Sequence, residues 1–205
     1  TTISSRRAGL TVKAGSLAIS VSSILIAQTV IAGSKAFTFA NYVLDSTASG
    51  EDVRIVSIPL EYNNPAGGTA NRLSNCQLFD NTSSVTAANV VAPSAIGSST
   101  SFTFDGNGLI LPKGTSKTLS LKCDLGGGAT GGYQWGVAAN ATYTGATGVT
   151  SGQTIAETFN TSAGQIMTAS SGGTMAVVLD ANSPGYQVWS SGQTNVELAR
   201  IRFSA

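Results

Sequence analysis

The chain has 205 residues and a formal net charge of +1, from 11 basic and 10 acidic side chains that are scattered along the sequence. Nucleic acids and anionic membranes bind clusters of basic side chains. Because the basic residues of this chain are not clustered, we expect neither as a partner. Histidine, the commonest general base and metal ligand at neutral pH, is absent, and we expect no catalytic residues and no resident cofactor. Charged residues make up only 10% of the chain and glycine is abundant at 24, a composition typical of exported structural β-proteins.

The segment "SLAISVSSILIAQTVIAG" near the N-terminus superficially resembles a membrane span. Leu17, Ile19 and Val21 alternate with small residues, however, and serine, glutamine and threonine interrupt the apolar run. A span needs about 20 mostly apolar residues, so we predict strands here and no membrane span. Because the first residue is threonine, we expect residues 1–14 to be a linker, or the end of a preceding strand, inside a longer product.

Alternation of apolar and polar residues, rather than helical periodicity, recurs along most of the chain. In "TLSLKCDL", Leu119, Leu121, Cys123 and Leu125 are predicted to face one way and polar residues the other. Short strands separated by turns predict an antiparallel β-sandwich, which we assign to residues 15–172. The turn signals lie at 63–68, 104–108, 112–115 and 126–132.

Cys76 and Cys123 are the only cysteines. Cys76 has the parity of Leu78, and Cys123 has that of Leu121 and Leu125, so both side chains point inward, as a disulfide across the core requires. Two cysteines in an exported β-domain favour one bridge. Two separate buried thiols, each acting as a small hydrophobic side chain, are the alternative.

Two stretches that begin at Gly15 and Gly173, 158 residues apart, share a pattern of apolar residues and glycine. A period of this length suits a whole domain rather than a solenoid repeat. We therefore predict that residues 173–205 are the first strands of a second copy of the domain. With one residue inserted, the matches are Leu17 with Met175, Ile19 with Val177, Val21 with Leu179, Gly33 with Gly192, Phe37 with Val196, Phe39 with Leu198, Tyr42 with Ile201, and Leu44 with Phe203.

The alternation slips by one residue at the same place in both stretches, after Phe39 and after Leu198. Successive side chains of a strand point to opposite faces, so such a slip predicts a β-bulge or a crossing from one sheet to another. The shared slip strengthens the match between the two stretches.

The apolar strands of residues 173–205 need neighbours, because an unpaired apolar strand is an aggregation hazard. Two explanations stay open. Either the neighbours lie on a longer protein of which the chain is a fragment, or the strands complete the sheet of another copy by strand donation. In both cases the predicted assembly strands carry Met175, Val177, Leu179, Val196, Leu198, Ile201 and Phe203.

The stretch "AGSKAFTFANYVLDSTASGEDVRIVSI", residues 32–58, resembles immunoglobulin-like repeats of large bacterial surface proteins, as do "LSNCQLFD" and "LPKGTSKTLSLKCDL". Such repeats occur in cell-surface, surface-layer-like and filament proteins, often as tandem arrays. The resemblance implies an immunoglobulin-like sandwich with an extracellular scaffold role, and it carries over no catalytic residue.

Carboxylates beside glycine-rich turns offer the oxygen ligands that calcium prefers. Their spacing matches no EF-hand loop or nonapeptide calcium repeat, and turns use Asp, Asn and Gly for backbone reasons alone. We favour turn chemistry and keep calcium as the alternative. The residues concerned are Asp45, Glu51, Asp52, Asp80 and Asp105.

Five aromatic side chains are candidates for a sugar-binding platform: Tyr133, Trp135, Tyr143, Tyr186 and Trp189. Trp135 shares parity with Tyr133 and Val137, which favours core packing for that group. Tyr186 and Trp189 are less constrained, so a glycan remains a candidate partner.

These patterns together predict a non-enzymatic structural subunit of an extracellular surface assembly, a filament or a surface layer. Copies of the protein would be its partners, joined through β-strand contacts. An adhesin or carbohydrate-binding surface module is the alternative function.

Overall fold

A computed structural model describes residues 13–88, 91–93, 95–97, 99–137, 145–159, 163–173 and 175–204. Within these ranges the regular elements are strands, apart from one turn of 3-10 helix at Ala70–Arg72. The prediction of an all-β protein is confirmed. The strands are β1 (Leu17–Val21), β2 (Thr29–Ile31), β3 (Phe37–Asp45), β4 (Val53–Ile55), β5 (Ser57–Asn63), β6 (Leu73–Asp80), β7 (Ser83–Ser84), β8 (Ser99–Thr103), β9 (Leu109–Leu111), β10 (Ser116–Leu125), β11 (Gly131–Val137), β12 (Ala146–Gly148), β13 (Thr154–Ile155), β14 (Glu157–Phe159), β15 (Ala163–Ser170), β16 (Ala176–Leu179) and β17 (Ile201–Ser204).

The chain divides into two compact units, Thr1–Ser171 and Gly172–Ala205. Strands β1 to β15 belong to the first unit, and β16 and β17 belong to the second. The predicted domain boundary lies one residue further along, between residues 172 and 173. That the second unit begins another copy of the domain stays a prediction.

The strands of the first unit form three sheets. The first sheet has the order β14-β1-β3-β10-β6-β7, the second has the order β2-β15-β11-β5-β8, and the third has the order β13-β12-β4-β9. Neighbouring strands run antiparallel except β1 with β14 and β2 with β15, which run parallel.

Aromatic side chains fill the space between the first and second sheets. The Tyr42 hydroxyl on β3 donates a hydrogen bond to the Gly136 carbonyl on β11 at 3.2 Å. The ring centroids of Phe39 and Tyr133 lie 6.2 Å apart across the same space. Trp135 is fully buried, with its ring centroid 5.6 Å from that of Tyr62. Two sheets that pack face to face make a β-sandwich, so the predicted fold class is confirmed.

Strand β10 lies inside the first sheet, between β3 and β6. Its register against β3 shifts between Leu121 and Lys122, so Phe39 and Ala40 of β3 lie together at a bulge, and both are buried. Of the two explanations for the slip after Phe39, the bulge is therefore correct. The inward face of β10 is the one that alternation predicts, formed by Leu119, Leu121, Cys123 and Leu125.

Candidate assembly surface

Strands β16 and β17 pair antiparallel, and we call this pair the C-terminal hairpin. Strands β1 and β3 of the first unit pair antiparallel in the same register. The pairs in the hairpin are Ala176 with Ser204, Val177 with Phe203, Val178 with Arg202, and Leu179 with Ile201. The matched pairs in the first unit are Ala18 with Asp45, Ile19 with Leu44, Ser20 with Val43, and Val21 with Tyr42.

In each strand pair, the loop between the two strands contains the same turn. In the first unit, the Ser34 amide donates to the Ile31 carbonyl at 3.1 Å, and Gly33 has a φ of 93°. The matched hydrogen bond of the second unit runs from the Gln193 amide to the Ser190 carbonyl at 3.3 Å, and there Gly192 has a φ of 90°. Such a turn needs a positive φ at its third residue, which explains the glycine in both loops.

Two further backbone features recur. Ala36 and Asn195, at matched positions, both have positive φ, 48° and 58°. The Ser22 amide donates to the Asn41 carbonyl at 2.8 Å, and the Asp180 amide donates to the Arg200 carbonyl at 2.8 Å. The second unit therefore has the backbone geometry of the opening strands of the first.

The two strand pairs differ in exposure. Ile19 and Leu44 are 1% and 0% exposed, whereas Val177 and Phe203 at the matched positions are 53% and 64% exposed. The hairpin has no third strand among the described residues, and all eight residues of its two strands are exposed. The other exposed apolar side chains of the second unit include Met175, Val178, Leu179, Leu198 and Ile201.

Val196 and Leu198 lie outside β16 and β17 in the chain alone. That they belong to the assembly strands stays a prediction. Their counterparts Phe37 and Phe39 belong to β3, where β10 runs alongside them, whereas the pairing with β1 begins only at Tyr42. The hairpin has no described strand in the place of β10, so its second strand begins at Ile201. Met175 directly precedes β16.

An exposed ion pair lies just before β17. Arg200 Nη2 donates to Glu197 Oε2 at 3.0 Å, and Arg200 Nε donates to Glu197 Oε1. The hydrogen bonds from Arg200 lower the pKa of Glu197. Glu197 is the match of Thr38, so the second unit carries a charge where the first unit has a hydroxyl.

Cys76 and Cys123 form a disulfide, as predicted, with an Sγ–Sγ distance of 2.03 Å and a Cα–Cα distance of 4.1 Å. The bridge joins neighbouring strands β6 and β10 of one sheet and does not cross the core between sheets. The register between these strands shifts between Lys122 and Asp124, and this irregularity brings the two inward-facing cysteines side by side.

The acidic residues considered for calcium accept hydrogen bonds from other residues of the first unit. Glu51 accepts hydrogen bonds from the backbone amides of Thr150 and Ser151, each at 2.9 Å, and from the Ser151 hydroxyl at 2.6 Å. The bonds from Ser151 are the main cause of the lowered pKa of Glu51. Within the described residues no three His, Cys, Asp or Glu side chains form a group suited to a metal ion. Asp45, Asp52 and Asp105 likewise accept backbone amides of nearby loops, and Asp80 pairs with Lys117.

Asp124, which the sequence analysis did not single out, accepts hydrogen bonds from two residues with positive φ, Ala36 and Asn75. Its carboxylate accepts from the Ala36 amide at 2.9 Å, from Asn75 Nδ2 at 2.8 Å and from Lys35 Nζ at 3.0 Å. Burial alone raises its pKa, but the hydrogen bonds from Asn75, Ala36 and Lys35 outweigh burial and lower it. The signal in the sequence is weak, because one aspartate at a strand end looks like any other turn residue.

The aromatic candidates separate into two groups. Tyr133 and Trp135 are fully buried, in agreement with the core interpretation. Tyr186 is 96% exposed and Trp189 is 43% exposed. Tyr143 lies outside the described residues.

In the described part of the chain no helix has the length and apolar character needed to span a membrane. No family model, curated protein or solved structure matches the chain. The resemblance to immunoglobulin-like repeats of bacterial surface proteins therefore remains an expectation.

Proposed function

We propose that the protein is a non-enzymatic structural subunit of an extracellular surface assembly, a filament or a surface layer. In this assembly, sandwiches of the same kind are joined through β-strand contacts of the C-terminal hairpin. The observation that carries the proposal is the hairpin itself, which has the register and turns of β1 and β3 but leaves its apolar side chains exposed.

Burial of these side chains in a joint between sandwiches would be strongly favourable. Full burial of a Val, Leu, Ile or Phe side chain stabilises a protein by roughly 1.5–3 kcal/mol. The free backbone edges of β16 and β17 would gain hydrogen bonds in the same contact. Four apolar residues of the hairpin strands take part: Val177, Leu179, Ile201 and Phe203.

The disulfide supports an extracellular location, because such bridges persist in oxidising compartments and are rare in the cytosol. The low content of charged residues is in line with an exported β-protein. The resemblance to immunoglobulin-like repeats of bacterial surface proteins points to the same function.

The proposal is tested in cells that make the protein. Antibodies raised against the first unit are expected to label intact cells, and the protein is expected in a high-mass fraction. The pair of substitutions Leu179→Asp and Ile201→Asp should move it to low mass, because the charges prevent burial of the hairpin. The matched control is Ile24→Asp with Ile26→Asp, since these side chains of the first unit are also exposed. An intracellular protein, or an unchanged mass distribution in the hairpin variant, contradicts the proposal.

A second candidate, a carbohydrate-binding surface module, is supported by the nearly complete exposure of Tyr186. Exposed aromatic rings can stack on a sugar, whereas the buried pair Tyr133 and Trp135 cannot. Glycan-array binding by the full chain that is lost in Tyr186→Ala or Trp189→Ala supports this function. The same array signal in both variants rules it out for these side chains.

A further inference from the structure

We infer that the C-terminal hairpin takes the place of the opening strand pair in a second sandwich of the same kind, one that has no opening pair of its own. The β10-type strand of that sandwich, a strand with the sequence pattern of Ser116–Leu125, then lies antiparallel along the free edge of β17. This inference rests on the proposed function and deepens it, because it names the partner of the assembly surface.

The pairing in the first unit defines which edge of the hairpin receives which strand. Strand β3 has β1 on one side and β10 on the other, and β1 in turn has β14 on its outer side. Because β16 and β17 repeat the register of β1 and β3, the free edge of β17 corresponds to the edge of β3 that β10 occupies. The free edge of β16 corresponds in the same way to the edge of β1 that β14 occupies.

The transferred register places side chains of the incoming strand opposite named residues of the second unit. In the first unit Leu119 lies opposite Tyr42, and Lys122 lies opposite Thr38. In the second unit the matched residues are Ile201 and Glu197. A β10-type strand therefore brings leucine against isoleucine on one face and lysine against glutamate further along. Opposite charges at directly facing positions stabilise a strand pair.

The absence of this strand also explains a local difference between the units. Residues 196–200 lie outside a strand, although their counterparts in β3 form one. Those counterparts pair with β10 and not with β1. A β10-type strand on the hairpin supplies the missing partner, and we expect it to extend β17 backward over these residues.

An intact second copy of the chain does not fit the role of partner. Its β10 already has β3 and β6 on its two edges, so no free edge remains for β17. If the hairpin displaced the opening pair of that copy, burial of Val177 and Phe203 would be matched by exposure of Ile19 and Leu44. The exchange brings no net gain in buried apolar surface, so the partner is a sandwich that lacks its opening pair.

The test uses the full chain, extended after Ala205 by a second copy of residues 47–172, so that the hairpin can complete a second sandwich. Amide exchange is measured by mass spectrometry for residues 176–179 and 201–204, with and without the extension. We expect the extension to slow exchange in these strands at least ~100-fold, because the amides enter a cooperative unit. A second cooperative unfolding transition should accompany the protection.

Substitutions on the two faces of β16 provide matched controls in the extended chain. Val177→Asp should abolish the added protection, because its counterpart Ile19 is buried in the core. Val178→Asp should keep most of the protection, because its counterpart Ser20 lies on the opposite face of the strand. Glu197→Lys should lower the protection more than Glu197→Gln does. The new lysine would lie opposite the copy of Lys122 in the added sandwich, and like charges at facing positions destabilise a strand pair.

A positive control shows whether the extension itself can fold. In this control the residues 173–204 of the extended chain are replaced by a second copy of residues 15–45, which supplies the authentic opening strands. If the control gains a second folded unit and the hairpin version does not, the inference is overturned. It is also overturned if the unextended chain protects the hairpin in a concentration-dependent manner, because an intact second copy is then the partner.

Failure of this inference and failure of the proposed function give different results. If the protein is intracellular but the hairpin of the extended chain is protected from exchange, the proposed function alone is contradicted. A surface assembly that depends on Leu179 and Ile201, combined with an extended chain whose hairpin stays unprotected, contradicts the inference alone.

Discussion

The opening strands of the first unit and the C-terminal hairpin differ in what surrounds them. Both pairs have the same four-residue register, and both loops contain a turn with a glycine at positive φ. Strands β1 and β3 lie within a six-stranded sheet and contribute to the core, whereas β16 and β17 form a sheet of two strands with exposed side chains. Local sequence is therefore enough to set the register and turn of this strand pair.

Neighbouring strands determine how far each strand extends. Strand β3 runs for nine residues with β10 beside it, and β17 runs for four residues with only β16 beside it among the described strands. A two-stranded hairpin alone is marginally stable in water, because it buries little apolar surface. The difference between the two regions therefore leads to measurable differences in stability.

The largest expected effect is in amide exchange of the chain as it is. The amides of β3 and β10 should exchange at least about a thousandfold more slowly than those of β16 and β17, because only the former open by global unfolding. Exchange measured by nuclear magnetic resonance checks this at single residues. Equal protection of β3 and β17 in dilute solution would mean that the hairpin is already buried.

The second effect concerns the disulfide. Replacing Cys76 and Cys123 by alanine should lower the free energy of unfolding of the first unit by about 4 kcal/mol, because the bridge closes a loop across a sequence separation of 47. Urea unfolding gives the value, monitored by tryptophan fluorescence in a Trp189→Phe background so that Trp135 alone reports. The reduced wild-type protein is the control and should behave like the double variant, while exchange in the C-terminal hairpin stays unchanged. A loss below about 1 kcal/mol contradicts the expectation.

The third effect compares matched positions directly. Leu44→Ala should destabilise the first unit by roughly 2–5 kcal/mol, because it leaves a cavity in the core. Phe203→Ala at the matched position should change the unfolding of the first unit by less than about 0.5 kcal/mol, as is usual for exposed side chains. Both are measured by urea unfolding. Similar losses in the two variants would show that Phe203 is buried in solution.

Alternation in the sequence predicted which side chains of β10 face inward, because a strand has a period of two whatever its neighbours are. The slip after Phe39 predicted either a bulge or a crossing between sheets, and the register of β3 against β10 decides for the bulge. The inward parity of Cys76 and Cys123 and the lack of other cysteines favoured a bridge over two separate buried thiols, and the structure has the bridge.

Contacts between distant segments were not predictable in this way. Parity shows that both cysteines face the core, but it does not show that β6 and β10 are neighbours in one sheet, so the bridge was expected to cross between sheets. Val196 and Leu198 alternate like Phe37 and Phe39, yet a strand also needs a partner along its edge. The cluster around Asp124 depends on chain segments more than 45 residues apart, as the separations of 49 and 88 residues to Asn75 and Ala36 show.

The fourth effect concerns Asp124 of β10, a strand that has no counterpart among the described strands of the second unit. Asp124→Asn should destabilise the first unit by about 1–2 kcal/mol near neutral pH, because hydrogen bonds to a charged acceptor are weakened. The pKa of Asp124 is lowered in the folded state, so its contribution is complete above the ordinary Asp pKa and is lost as the pH falls through the lowered value. Urea unfolding at several pH values checks this. A difference between wild type and variant that persists at the lowest pH contradicts the role of the charge.

The smallest effect concerns the matched positive-φ residues. Ala36 has a φ of 48° and is exposed, and a left-handed backbone costs an L-residue roughly 1–2 kcal/mol. The hairpin has Asn195 at this position, and asparagine tolerates the left-handed region better than alanine does. Ala36→Asn should therefore stabilise the first unit by about 0.5–1 kcal/mol in urea unfolding. Ala36→Ser is the control and should have little effect, because serine lacks this preference. If Ala36→Asn destabilises the first unit, the hydrogen bond of Asp124 to the Ala36 amide requires a backbone geometry that asparagine disturbs, and the two loops are less alike than their φ angles indicate.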